Sequence, residues 1–494
     1  MSESGSLQHK TISALLYSFG GFLANSGVQF GIMIILARLV SPAEFGILGM
    51  VTIFTAISQI FIDSGMTQAL IREKNVTQED YSTVFYYNLL VAAVMYTILF
   101  VSAGSISEYF REPQLIAIIR VISIGMIISA LGIIQRTMLV RNIDFRSQTR
   151  IDVTSSILSG IVAITMAYAG FGVWSLVLRT LVQQLATLIM LTASNKWLPS
   201  PAFNRRSFDR LFGFGWKMLL TGLLATVYNY IYNIIIGRSY SATQLGYYAK
   251  SLQLRDVVSN SITTSVSKVS YPVLSSIQDD TDRLELGFKK IIRSASFLTF
   301  PVMIGLVAIA HPMVQLMFGD QWVPMVPYLQ ILCLAGATFP HRAINLNVLL
   351  VKGRSDLFLR LDVIKIVIGL CLIGLAIFLG FGIYGLLWVN FILAQIAFWI
   401  NSYYSREFIS YSTMEQVRDM LPSLVASGAM GAVLYLSGFI LPQSSFVRLM
   451  LQVIIGATTY ILLSKLTGIK ELDTVLGLVR SLSQKPRDRR DPVQ

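Results

Sequence analysis

Two stretches about two hundred residues apart carry the same residues in the same register. Ile34–Gly46 reads I-I-L-A-R-L-V-S-P-A-E-F-G and Ile234–Gly246 reads I-I-I-G-R-S-Y-S-A-T-Q-L-G. Ile34 and Ile234, Ile35 and Ile235, Arg38 and Arg238, Ser41 and Ser241, and Gly46 and Gly246 coincide without a gap. Further on the echo returns with a ten-residue slip. Arg150-Ile151-Asp152-Val153 reappears as Arg360-Leu361-Asp362-Val363, and Gly170-Phe171-Gly172-Val173-Trp174 as Gly380-Phe381-Gly382-Ile383-Tyr384. Three echoes in one order describe a duplicated half of about 200 residues. In each copy an apolar run ends at an arginine, crosses a short polar loop and becomes apolar again.

The solvent of this chain follows from its composition. Hydrophobic residues make up 54% of it and charged residues 13%, against about 25% charged in soluble domains. Lipid is the medium that tolerates this balance, and about 20 apolar residues in a helix cross it. The runs between charge clusters predict an all-α integral membrane protein with spans at 11–37, 45–66, 84–106, 115–139, 151–171 and 172–194 in the first copy. The second copy supplies 211–237, 244–270, 289–311, 325–351, 360–380 and 381–404, and two more follow at 421–441 and 448–466. The expected organisation is therefore a segment 1–10, a lobe 11–194, a link 195–210, a second lobe 211–404, two helices within 405–466 and a tail 467–494. That makes fourteen spans in all, two six-helix lobes plus two. The span 244–270 is the most polar and is placed by the repeat. No cleavable leader is expected, since the first apolar run is long enough to span. Arg205–Phe212 reads as a basic amphipathic piece at the inner surface, and the tail as a surface helix with a disordered end.

Charge sets the expected orientation. With the N-terminus in the cytoplasm, 27 of the 39 Lys and Arg residues fall on the inner side and four, Arg38, Arg111, Arg238 and Arg448, on the outer. The positive-inside rule then puts both termini in the cytoplasm. The net charge of +13 reflects topology and anionic lipid rather than nucleic acid.

Eight cations remain inside predicted spans: Arg120, Arg179, Lys217, Lys250, Arg255, Lys268, Arg342 and Lys365. Only Asp63, Asp152, Asp256 and Asp362 oppose them, and Asp256 alone lies deep. Ionisable groups in a membrane face a cavity or a partner, so this excess predicts a positive interior suited to phosphate or carboxylate. Lys217, Lys268, Lys365 and Lys250 can also snorkel to an interface. Arg179, Arg255 and Arg342 are harder to place there, and with Lys250, Arg120 and Lys217 they form the expected cationic lumen. Gln253, Asp256, Asn260 and Thr263 recur at helical spacing as one polar stripe, from which Arg255 points away. Asp256 reads as the ion-pair partner of a cation on another helix or as a carboxylate coupled to a proton or sodium gradient. Cys333 and Cys371 read as apolar fillers, with no metal and no cofactor expected. No nucleotide loop, metal cluster or catalytic triad is present, and no enzyme is expected.

Several stretches resemble the Wzx-type polysaccharide exporters. They are A-R-L-V-S-P-A-E-F-G at 37–46, D-S-G-M-T-Q-A-L-I-R-E-K-N at 63–75, F-R-E-P-Q-L at 110–115, Y-P-V-L-S-S-I-Q-D-D at 271–280 and L-L-V-K-G-R-S-D-L at 349–357. The branch that exports colanic and teichuronic acids is the most similar. The resemblance implies a fold of the multidrug/oligosaccharidyl-lipid/polysaccharide superfamily, with two lobes in a V shape and a cationic central cavity. It implies a flippase in the bacterial inner membrane that moves undecaprenyl-diphosphate-linked oligosaccharide by alternating access. Expected partners are that substrate, membrane lipids and the polymerase and chain-length proteins of the same process, with no nucleic acid. A lipid II flippase, a drug or cation exporter of the same superfamily and a membrane polymerase or ligase are the alternatives. The short outer loops speak against the last, and the scarcity of buried carboxylates against an exporter of cations.

Overall fold

The computed structural model describes residues 20–21, 24–277, 280–442 and 444–473. The expected segment 1–10, the start of the first span and the end of the tail lie outside the described residues. Every described element is helical. The first copy gives α1 (Ala24–Leu39), α2 (Pro42–Asp63), α3 (Met66–Arg72), α4 (Gln78–Phe110), α5 (Leu115–Ile122), α6 (Ile124–Arg141), α7 (Phe145–Tyr168) and α8 (Val173–Ser194). Next come α9 (Arg205–Ser239), α10 (Ala242–Ser276), α11 (Thr281–Phe318), a 3-10 turn (Asp320–Met325), α12 (Val326–Gly336) and α13 (Phe339–Val351). The remainder is α14 (Ser355–Phe378), α15 (Gly382–Tyr403), α16 (Ser405–Ile409), α17 (Thr413–Ile440) and α18 (Ser445–Leu466).

Among the described residues, 12 helical segments are long and apolar enough to cross a membrane. Two of the fourteen predicted spans are not among them. The described part of the first, Ala24–Leu39, is too short. The other is α10, a single helix of 35 residues whose length suffices and whose polarity does not. The chain is a multi-pass membrane protein.

The residues shared by the two copies have local causes. Ser41 caps α2, and Glu44 completes the box by accepting from the Ser41 amide at 2.8 Å. In the second copy the Gln244 amide donates to Ser241 Oγ at 3.2 Å. A serine followed three residues on by Glu or Gln satisfies the free amides at a helix start. The repeated glycines sit where these two helix starts cross. A Cβ on Gly46 would collide with the Ala242 carbonyl, and one on Gly246 with the Pro42 carbonyl. The Gly-Phe-Gly turns behave as the sequence predicts: Gly170, Gly172, Gly380 and Gly382 all have positive φ, between 53° and 81°, which glycine adopts without a steric penalty.

Contacts resolve two compact units, Met1–Ala249 and Lys250–Gln494. The division falls within α10, whereas the repeat changes copy at the 195–210 link. The reason is α9, which packs along α2 inside the first unit. Gly215 lies against the backbone of Ser64 and Gly65, Asn233 Nδ2 donates to the Gly49 carbonyl at 3.2 Å, and Gly237 faces Met50 and Phe110. The piece Arg205–Phe212 is continuous with the span that follows it. It forms the first two turns of α9, capped by Asn204.

The link itself is held down. Trp197 Nε1 donates to Gln78 Oε1 at 2.6 Å, and Gln78 donates to the Leu198 carbonyl at 2.8 Å. The amides of Ser200 and Asn204 donate to Ser82 and Thr83 at 2.9 and 3.0 Å. Arg210 pairs with the buried Asp80 at 2.6 Å. In the second unit the first residues of the tail, Ile469 and Leu472, pack on Phe297, Met430 and Tyr460.

Candidate substrate-binding site

In the first unit, Arg179 on α8 is half-buried and donates to an amide that belongs to a small cluster of amides around one hydroxyl. Its Nη2 donates to Gln29 Oε1 on α1 at 3.0 Å. Gln29 Nε2 and Gln183 Nε2 both reach Ser156 Oγ on α7 at 3.4 Å, and Ser156 donates to Asn25 at 2.8 Å. Arg179 Nε is buried without a hydrogen-bond partner, and no carboxylate pairs with this guanidinium among the described residues. A cation in such surroundings keeps its charge available for an incoming anion. Asn25, Ser156 and Gln183 are absent from the sequence-based set. Gln183 stands one helical turn after Arg179, a spacing that places both on one face.

Arg120 and Lys217 are also in this unit. Arg120 is exposed, with its guanidinium 4.4 Å from the Phe100 ring and Nε donating to the Phe100 carbonyl at 3.5 Å. Lys217 is exposed on α9. The bonds of Arg120 and of Arg179 involve different residues.

In the second unit, Arg255 on α10 is paired with its neighbour Asp256, through Nε at 2.9 Å and Nη2 at 2.5 Å. The Arg255 side chain is 13% exposed and that of Asp256 39%. The arginine stem lies on α12 at Gly336, where a Cβ would come within 2.9 Å of it. The sequence reading places the partner of Asp256 on another helix; it is the adjacent residue, because the absent side chain at Gly336 lets the guanidinium fold back. Lys250 is buried, with Nζ 3.3 Å from Gln253 Oε1 and 5.9 Å from the Trp322 ring centre. Gln253 and Asn260 are exposed and Asp256 and Thr263 half-buried, so the polar stripe of α10 is largely uncovered. Thr263 donates to the Ser259 carbonyl at 2.7 Å.

Arg342 is half-buried after the break between α12 and α13, 5.1 Å from the Phe339 ring centre. Its carbonyl accepts from Asn401, which accepts in turn from Lys365, itself paired with Asp362 at 2.6 Å. Beside it His341 is fully buried, bonded to Ser296 at 2.8 Å and stacked on Phe300. Cys333 is buried, Cys371 exposed. Among the described residues no group of three or more His, Cys, Asp or Glu could hold a metal ion.

These elements match a known family over residues 35–327. The chain belongs to the polysaccharide biosynthesis protein family. Named relatives resemble it along much of its length. The teichuronic acid biosynthesis protein TuaB of Bacillus subtilis (strain 168) is 26% identical over 83% of this chain and 86% of its own. The succinoglycan biosynthesis transport protein ExoT of Rhizobium meliloti (strain 1021) is 26% identical over 63% of each chain. Among solved structures, the lipid II flippase MurJ in an inward closed conformation has a TM-score of 0.74 at 16% identity. That alignment covers 95% of this chain and all of MurJ, and it establishes the fold of this polysaccharide biosynthesis protein.

Proposed function

We propose that this protein flips undecaprenyl-diphosphate-linked oligosaccharide units from the inner to the outer leaflet of the bacterial inner membrane, with both termini in the cytoplasm. The observation that carries the reading is Arg179: a half-buried cation amid amides and hydroxyls, with no carboxylate partner among the described residues. Diphosphate supplies the missing negative charge, and Gln29, Asn25 and Gln183 offer the donors and acceptors that sugar hydroxyls require. The uncovered stripe Gln253, Asp256 and Asn260 on α10 offers a polar face of the same kind. Names of relatives support the substrate class, since TuaB is a teichuronic acid biosynthesis protein and ExoT a succinoglycan biosynthesis transport protein. The protein binds and moves this lipid without chemistry on it, hands it to polymerase and chain-length proteins, and uses fourteen spans, counting α1 and α10.

Flipping of a fluorescent undecaprenyl-diphosphate-linked repeat unit in proteoliposomes, read by quenching from outside, tests this. The wild-type protein is expected to exceed empty vesicles clearly. Arg179→Gln is expected to slow flipping by roughly 10- to 100-fold, the range of one lost charge-assisted hydrogen bond. Equal quenching with and without protein removes the proposal. Competition by lipid II, which has the same diphosphate and prenyl chain, reports whether the sugar is read as well.

A further inference from the structure

The carboxylates invoked for coupling to an ion are those without a cation beside them, and one qualifies that is not Asp256. Asp63 is the last residue of α2. Its Oδ1 is buried and has no hydrogen-bond partner. Thr67, the second residue of α3, turns its hydroxyl and its amide toward the same carboxylate, and its buried Oγ1 makes no other hydrogen bond. Between them the chain turns through two left-handed residues, Ser64 at φ 47° and Gly65 at φ 67°. The turn is clamped. Gly215 of α9 abuts the backbone of Ser64 and Gly65, and Tyr87 of α4 holds Ser64 Oγ at 2.9 Å.

The charged and titratable groups around this turn leave Asp63 unpaired among the described residues. From α9, Gly215 and Met218 face the turn, and Lys217 next to them is exposed. From α3, Arg72 lies over the Phe214 ring at 4.8 Å. From α4 comes the Tyr87 hydroxyl. On α6, Arg136 is paired with Asp152, and Arg141 bonds Tyr81 and the carbonyls of Glu73 and Lys74. Burial and the lack of a cation disfavour the bare anion, and the Thr67 hydroxyl and amide at the start of α3 offset this only in part. One positive charge placed on Asp63 relieves both.

We propose that Asp63, with Thr67, is a binding site for a monovalent cation, a proton or a sodium ion, at the turn between α2 and α3. A proton makes the carboxyl neutral and gives it an O–H to donate. A sodium ion takes Asp63 and Thr67 as oxygen ligands. Its use in driving transport rests on the flippase reading; its existence does not.

Infrared difference spectroscopy of the full chain in phosphatidylethanolamine–phosphatidylglycerol vesicles separates the two ions without any substrate. If the ligand is a proton, raising the pH at fixed choline removes a protonated-carboxyl band that is missing in Asp63→Asn and shifted in Thr67→Ala. If it is sodium, exchanging choline for sodium at fixed pH shifts a carboxylate band, and Asp63→Asn loses that shift. Identical difference spectra of wild type and Asp63→Asn under both exchanges overturn the site. Should Asp63→Asn not insert, Thr67→Ala decides alone, and an unmoved band overturns the site equally. In the flipping assay, Asp63→Asn is expected to lose its response to an imposed gradient. Failure of every variant and the wild type to flip would count against the function, not against the cation site.

Discussion

At the scale of single residues, the structure separates cations that the sequence groups together. Among the described residues, Arg179 has amide company and no acid, Arg255 is met by Asp256, and Arg120 lies against an exposed ring. The pair Arg255–Asp256 is partly exposed, so its contribution to stability is small, about 0–1 kcal/mol after solvent screening. Asp256→Asn is therefore expected to leave the melting temperature nearly unchanged while freeing the guanidinium seated on Gly336. Binding of undecaprenyl diphosphate, measured by tryptophan quenching in detergent, is expected to tighten severalfold in this variant. Unchanged or weaker binding would show that Asp256 does not compete for Arg255. The charge excess in the spans was readable from the sequence because counting needs no coordinates. Which cation has a partner was not, because pairing depends on a neighbour such as Gly336, eighty-one positions away, whose contribution is a missing side chain.

At the scale of elements, the repeat was legible and its meaning was not. Ser41 and Ser241 recur because each supplies a cap, and that much follows from residue type and spacing. Gly46 and Gly246 recur because two helix starts cross there with backbone against backbone. Gly46→Val or Gly246→Val must push the helices apart, and each is expected to destabilise the protein by about 1–3 kcal/mol, the usual cost of overpacking. Thermal melting in detergent checks this, with Gly104→Val, at a position open to space, as the control. Another element-scale effect depends on pH. Asp144 caps α7, and the Ser147 hydroxyl and amide hold its carboxyl below the usual carboxylate range. A carboxyl so lowered stabilises the fold above its ordinary value of about 3.9 and loses that contribution as the pH falls through the depressed value. Asp144→Ala is expected to cost about 1 kcal/mol at neutral pH and nothing more in strong acid, which melting curves across that range will show.

At the scale of the whole molecule, composition and the spacing of apolar runs were enough for an all-helical membrane protein, since lipid leaves the backbone few other choices. The hydropathy signal weakens at α10, where polar residues occupy a helix that the repeat alone foretold. The packing boundary escaped the sequence altogether, because the long contact of α9 with α2 runs through glycines that carry no hydrophobic signature.

The tied-down link between the copies bears on how such a chain arose. A newly doubled gene would join its halves by a loose tether that either half could do without. Here Trp197, Ser200 and Asn204 are bonded to α4, and Arg210 answers Asp80. The old seam has become part of the first half's own surface, so the ancestral single copy could no longer be recovered by cutting there without stranding a buried acid.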